Sequence, residues 1–131
     1  MKNANLSFKG QIPFNEEFGD IYFNTDKPWL ESEFVFASAL DEIWQSKDSF
    51  IVAETGFGAG LNFFTLCKKF KASPKKLHFV SIEKSPIKKE DLLKIYEKLG
   101  IFKAYAKKLV SLYPPLISGI HRINFAPNIT L

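Results

Sequence analysis

The spacing of apolar residues divides the chain into segments of different period. From about Glu31 to Gln45, Phe36, Leu40, Ile43 and Trp44 recur at intervals of three and four, which predicts a helix. Phe50-Ile51-Val52-Ala53 is an uninterrupted apolar run ending at Glu54 and predicts a strand buried on both faces. A helix from about Gly60 to Phe70 follows, and a second strand, Leu77 to Ile82, ends at Glu83. Ser85-Pro86 then resembles a helix start, with Ser85 as N-cap and Pro86 in the first turn, and Gly100 marks the end. A further helix is predicted over Phe102–Tyr113, with Phe102, Tyr105, Ala106, Leu109 and Leu112 on one side and Pro114-Pro115 as its stop. His121 to Phe125 and Ile129 to Leu131 suit two short strands joined at Ala126-Pro127-Asn128. Between Leu6 and Lys27, glycines and a proline interrupt the aromatics Phe8, Phe14, Phe18, Tyr22 and Phe23. That stretch reads as irregular chain with at most a short strand at Ile21–Phe23.

Alternating helices and strands predict an α/β fold with a parallel sheet. One domain suits 131 residues, divided into an N-terminal extension and helix (1–49) and a βαβ core (50–131). A doubly wound sheet usually has more strands, so the domain is expected to be C-terminally truncated.

Composition narrows the function classes. No run of about 18 apolar residues exists, and Met1–Gly10 lacks a signal-peptide core, so a cytoplasmic protein is expected. Cys67 is alone, and with only His78 and His121 beside it neither a disulfide nor a zinc site is expected. Charge is unevenly divided. Residues 1–66 carry four lysines against ten acids, whereas residues 67–131 carry thirteen lysines and Arg122 against four acids. This asymmetry fits a polyanionic partner, or simply a solvated lysine-rich face. Lys68, Lys69, Lys71, Lys75 and Lys76, together with His121 and Arg122, are the candidate phosphate contacts.

Candidate chemistry concentrates between the first two core strands, in Glu54-Thr55-Gly56-Phe57-Gly58-Ala59-Gly60-Leu61-Asn62. Glycines permit backbone angles closed to other residues, and the following helix start offers free N–H groups to a polar ligand. A dinucleotide fingerprint would read G-x-G-x-x-G, but here the third glycine comes one position early. Glu83 closes the second strand, where a carboxylate can accept the ribose hydroxyls of a nucleoside cofactor. Glu54 is placed to hold an ammonium group. Gly56-x-Gly58-x-Gly60 with an acid two residues earlier resembles the cofactor motif of class I methyltransferases.

A narrower resemblance follows from Glu54-Thr55-Gly56-Phe57-Gly58-Ala59-Gly60-Leu61-Asn62-Phe63. It is similar to the E-S-G-F-G-T-G-L-N-F signature in the methyltransferase domain of the MnmC family of bifunctional tRNA wobble-uridine enzymes. Asp20-Ile21-Tyr22-Phe23 resembles the family's D-x-Y-F, and Glu31 to Phe36 its E-x-x-Y-V-F. His78 to Pro86 resembles H-F-x-S-x-E-K-x-P, and Gly119 to Arg122 resembles G-x-H-R. The resemblance implies a Rossmann-like class I methyltransferase fold and S-adenosylmethionine as cofactor. It also implies a tRNA substrate, whose 5-aminomethyl-2-thiouridine is converted to 5-methylaminomethyl-2-thiouridine. By the same resemblance Gly56, Gly58 and Gly60 contact the cofactor, Glu83 holds its ribose, and Glu54 and Asn62 lie near its methionine end. Tyr22 and Phe23 border the substrate pocket. The family's acidic L-D-G-F-A-P segment and its FAD-dependent domain have no counterpart in this sequence. Three readings follow: a tRNA methyltransferase, whole in origin but truncated here, with a separate chain or domain as the partner that would supply the rest of the fold; a nucleotide-binding domain of dehydrogenase type; or a non-catalytic remnant or interaction domain that keeps the fold and has lost the reaction.

Overall fold

The computed structural model describes residues 1–23 and 27–131. Its centre is a four-stranded sheet in the order β4-β5-β7-β6, built from β4 (Ser49–Thr55), β5 (Lys76–Ile82), β6 (Asn124–Ala126) and β7 (Ile129–Thr130). β4, β5 and β7 run parallel, and β6 pairs antiparallel with β7. The crossover from β4 to β5 is α2 (Leu61–Lys71); α3 (Lys89–Leu99) and α4 (Lys103–Leu112) follow β5. The α/β fold with a parallel sheet is therefore as the sequence pattern implies.

One face of this sheet carries the core. Phe50 and Leu77 pair in register, as do Val52 and Phe79. Their side packs with Phe63, Phe64 and Phe70 of α2, Leu92, Ile95 and Tyr96 of α3, and Ala106 and Leu109 of α4. Phe63, Phe64, Phe70 and Tyr96 are completely buried, and burial of such a side chain stabilises by about 1.5–3 kcal/mol. Edge-to-face contacts give the aromatic packing its geometry, with Phe64 against Tyr96 and Phe63 against Phe125 at 5.0 Å each.

The opposite face corrects one expectation. β4 is not buried on both sides: Ile51 is 78% exposed, and its face continues through Val80 at 53% and Ile82 at 71%. The described helices contribute their buried residues to the Phe50 side, which leaves these β-branched side chains uncovered.

The N-terminal segment also differs from expectation. It is an antiparallel sheet of β1 (Leu6–Lys9), β2 (Ile12–Asn15) and β3 (Asp20–Ile21). Lys9 pairs with Ile12 around Gly10-Gln11, and Gly10 has φ +65°. A glycine at the first position of a two-residue turn is a hairpin signal that the surrounding polar residues obscured. The segment docks through Ala4, whose N–H donates to the Pro86 carbonyl at 3.0 Å.

The helix predicted from Glu31 is present in altered form. α1 (Pro28–Ser32) continues through a π-helical turn, Glu33–Ala37, and a 3-10 segment, Ser38–Ile43. The Ser38 N–H reaches the Glu33 carbonyl, five residues back, so the register slips within the stretch. Phe36, Leu40 and Trp44 remain against the core, while Ile43 turns outward. Trp44 stacks on Phe50 at 5.2 Å and meets Phe70 edge-on at 5.0 Å, which locks the end of the segment to β4 and α2.

Ser85-Pro86 does not start α3. The helix begins at Lys89, and the Ser85 N–H donates instead to Glu83 at 2.8 Å. Gly100 ends α3 as expected, with φ +71° and its N–H on the Tyr96 carbonyl. α4 starts one residue late, after Phe102 in a left-handed conformation, and Leu112 is 42% exposed. His121 and Arg122 precede β6 rather than lie in it. Asn128, in the expected turn before β7, uses its side-chain amide to cap the carbonyls of Phe70, Ser73 and Lys75.

Candidate cofactor site

Parallel β4 and β5 end side by side, and everything at the site follows from that register. Glu54 lies opposite Ser81, and Thr55 opposite Ile82. The chain leaving β4 must turn sharply into α2. Gly56, Gly58 and Gly60 take φ of +79°, +54° and +74°, a left-handed alternation that L side chains resist. At Gly60 space is limiting as well, because a Cβ there would sit 2.7 Å from the Phe57 ring. The Gly56 N–H bonds back to the Ile82 carbonyl at 2.7 Å, tying the turn to the end of β5. From below, the buried Tyr96 hydroxyl donates to the Ala59 carbonyl at 2.7 Å.

Glu83 is joined to this turn directly. Its Oε2 accepts the Gly58 N–H at 2.9 Å and its Oε1 the Ser85 N–H at 2.8 Å. Each carboxylate oxygen retains a lone pair for a ligand hydroxyl. Over the turn lies a cavity of about 430 Å³ whose walls include Gly56, Gly58, Asn62, Glu83, Tyr22 and Phe18. That volume is ordinary for a small-molecule site. A neighbouring cavity of about 540 Å³ shares Tyr22, Phe23, Leu61 and Asn62 and extends to Glu31, Ser32 and Phe36.

The structure thus assembles Gly56, Gly58, Asn62, Glu83, Tyr22 and Phe23 around one place. Gly60 and Glu54 are not among the cavity walls: Gly60 starts α2 beneath the Phe57 ring, and Glu54 stands behind Asn62. The Asn62 side-chain N–H donates to Glu54 Oε2 at 3.0 Å, and Ser81 Oγ donates to Oε1 at 3.3 Å. Burial raises the Glu54 carboxyl above its ordinary value; these two donors pull it down, and the Glu83 charge adds to the rise.

Four contributors were not evident in the sequence. Asn15 donates to the Tyr22 hydroxyl at 3.1 Å while its Oδ1 accepts the N–H groups of Glu17 and Phe18, so the β2–β3 turn sets the Tyr22 ring beside Gly58. Burial raises the Tyr22 phenol, and Glu83 and Asp91 oppose its ionisation. Tyr113 at the end of α4 is pushed up to about 12 by burial, with Glu83 and Tyr22 adding to the effect. Ser32 donates to Asn62 Oδ1 at 2.8 Å. Tyr96 braces the turn. Each owes its place to tertiary register; a fifth, Ser81, alternates with Phe79 on β5 and carried a readable signal.

The lysines near the end of α2 are partly engaged within the chain. Lys68 pairs with Glu33 at 3.2 Å and Lys69 with Asp41 at 2.7 Å, and Lys75 is 3.7 Å from Asp48. Lys69 also lies over the Trp44 ring at 4.6 Å. The Cys67 thiol is buried and pushed up by desolvation, a packing residue on α2. No helix among the described residues is long and apolar enough to cross a membrane.

A parallel-strand edge that delivers a glycine turn, a helix start and a strand-terminal acid to one cavity is the architecture of a Rossmann-like methyltransferase fold. The solved structure of MNMC2 from Aquifex aeolicus superposes with a TM-score of 0.63 at 17% identity, covering 100% of this chain and 42% of its own. Sequence relatives are named tRNA 5-methylaminomethyl-2-thiouridine biosynthesis bifunctional protein MnmC. That of Campylobacter concisus is 95% identical over 131 residues, 100% of this chain and 21% of the relative. Those of Campylobacter hominis and Legionella pneumophila are 55% and 35% identical, covering 96% and 95% of this chain. The chain is therefore homologous along its whole length to part of the MnmC proteins, as its motifs imply, and spans about a fifth of the length of these relatives. No family model matches it.

Proposed function

We propose that this chain binds S-adenosylmethionine as the cofactor portion of a methyltransferase acting on the wobble uridine of tRNA. The reaction is conversion of 5-aminomethyl-2-thiouridine to 5-methylaminomethyl-2-thiouridine. One observation carries the reading: the Gly58 N–H and the Glu83 carboxylate, 2.9 Å apart, meet in a cavity at the start of α2. The donor set fits the cofactor. Glu83 offers acceptors for two ribose hydroxyls, and Gly56 and Gly58 let the backbone approach the sulfonium side. Asn62, with Glu54 behind it, suits the amino-acid end. When bound, the cofactor supplies an electrophilic methyl group, and the protein's task is to hold it in line with a neutral amine and exclude water.

Tyr22 and Phe23 form the partition between the two cavities, which supports placing the uridine base in the larger one. The positioning of its amine is assigned to an acidic segment of the L-D-G-F-A-P kind, which these 131 residues do not contain. A cytoplasmic location and tRNA as partner belong to the same proposal, as does the division into an extension (1–49) and a core (50–131). FAD has no place in this portion of the reading.

Calorimetric titration of S-adenosylmethionine into the chain tests it, with Glu83→Ala and Gly58→Val alongside. Saturable binding by the wild type that both variants lose is the expected result. A folded wild-type chain that releases no heat of binding refutes the assignment.

A further inference from the structure

A continuous line of hydrogen bonds runs from the N-terminal helix to the strand ends. Ser32, 4% exposed at the end of α1, donates through Oγ to Asn62 Oδ1 at 2.8 Å. Asn62, in the first turn of α2, donates through Nδ2 to Glu54 Oε2 at 3.0 Å. Ser81 on β5 completes the line at Glu54 Oε1. An amide side chain can present either its oxygen or its nitrogen to a neighbour. With the oxygen toward Glu54, two acceptors would face each other. The Glu54 carboxylate, an acceptor, selects the orientation in which nitrogen meets it, and the Ser32 hydroxyl, by donating to Oδ1, braces the amide in that orientation.

We propose that Ser32 is a positioning residue for recognition of the cofactor's ammonium group, acting through Asn62 to fix the Glu54 carboxylate. The inference rests on the cofactor reading above and adds a residue outside the glycine motif. It also couples the two cavities, because Ser32 lines the larger one and Asn62 lines both.

The groups facing Glu54 define what a substitution does. They are Asn62 from α2, Ser81 and Glu83 from β5 and its end, and the buried Tyr96 from α3, whose ionisation Glu54 opposes. Of these, Asn62 is the donor that Ser32 controls. In Ser32→Ala the amide loses its brace, the bond it donates to Glu54 weakens, and the Glu54 titration moves to higher pH.

The test pairs two measurements on the same chain. Carbon-detected NMR follows the Glu54 carboxyl through a pH titration without ligand, and calorimetry measures S-adenosylmethionine binding near neutral pH. Ser32→Ala is expected to raise the Glu54 midpoint and weaken binding by about 3- to 10-fold, the loss of one hydrogen bond. Ser32→Thr, which keeps the hydroxyl, stays within about 2-fold of the wild type on the same scale. Ser32→Cys, similar in volume and a weaker donor, gives an intermediate value and replaces the alanine variant if that one fails to fold. A Glu54 midpoint identical in wild type and Ser32→Ala, or shifted equally by Ser32→Thr, overturns the proposal. A wild type that binds no S-adenosylmethionine overturns the cofactor reading, while the ligand-free titration still decides the Ser32–Asn62–Glu54 linkage.

Discussion

Tyr96→Phe isolates one hydrogen bond that braces the glycine turn. The Tyr96 side chain is completely buried, and its hydroxyl donates to the carbonyl of Ala59, itself 3% exposed. The substitution leaves the ring in place against Phe64, with centroids 5.0 Å apart, so packing changes little. What is lost is a neutral hydrogen bond, about 0.5–1.5 kcal/mol net, plus the penalty for stranding a buried carbonyl, which brings the cost to about 1–3 kcal/mol. For a domain of this size each kcal/mol lowers the melting midpoint by roughly 4 °C. Thermal unfolding followed by circular dichroism should therefore show a fall of about 4–12 °C on that scale. The same variant should bind S-adenosylmethionine more weakly, because Ala59 lies between Gly58 and Gly60. A melting midpoint unchanged by the substitution would show that the hydroxyl does not support the turn, and the bracing argument would fail.

Gly60→Ala combines backbone and steric strain. The left-handed φ costs about 1–2 kcal/mol, and the new Cβ meets the Phe57 ring at 2.7 Å. Chemical denaturation of the double variant with Phe57→Ala should show the two substitutions to be less than additive, whereas strict additivity would deny the contact. Glu54 gives stability a pH dependence of definite sign. Its native carboxyl is raised by burial, so the native state holds the proton more tightly than the unfolded chain. This contribution is greatest below the unfolded value, declines as pH rises to the native one, and is flat above it. Glu54→Gln should remove that slope from denaturation curves collected across the acid range, and a slope that persists assigns it to another group. The uncovered sheet face should promote self-association through Ile51, Val80 and Ile82. Light scattering should report a lower mass for Ile82→Lys than for the wild type at equal concentration, and a wild type that stays monomeric at all concentrations contradicts this.

The parts of the fold with strong local signals were legible. The strand–glycine-turn–helix–strand–acid succession placed β4, α2, β5 and Glu83 within a residue or two, because burial period and glycine spacing are local properties. Gly100 and the turn before β7 were equally readable. The irregular parts were not. The π turn after Ser32 leaves no mark in the apolar spacing, and the β1–β2 hairpin rested on a single glycine signal, Gly10, between polar neighbours. At the site, sequence could name Glu54 and Asn62 but not that Asn62 stands in front of Glu54. Nor could it show Tyr96 reaching Ala59 from 37 positions away. The expectation of β4 buried on both faces failed because an apolar run records hydrophobicity, not which neighbour covers it.

The most direct test of the cofactor assignment maps the ligand onto the chain residue by residue. In a nitrogen–proton NMR titration with S-adenosylmethionine, the backbone amides of Gly56 and Gly58 and the side-chain amide of Asn62 should shift together and saturably. Gly100 and Gly119, outside both cavity walls, should hold still. Saturable shifts confined to the glycine turn and the Glu83 region establish the site; shifts centred elsewhere, or none from a folded chain, contradict the account.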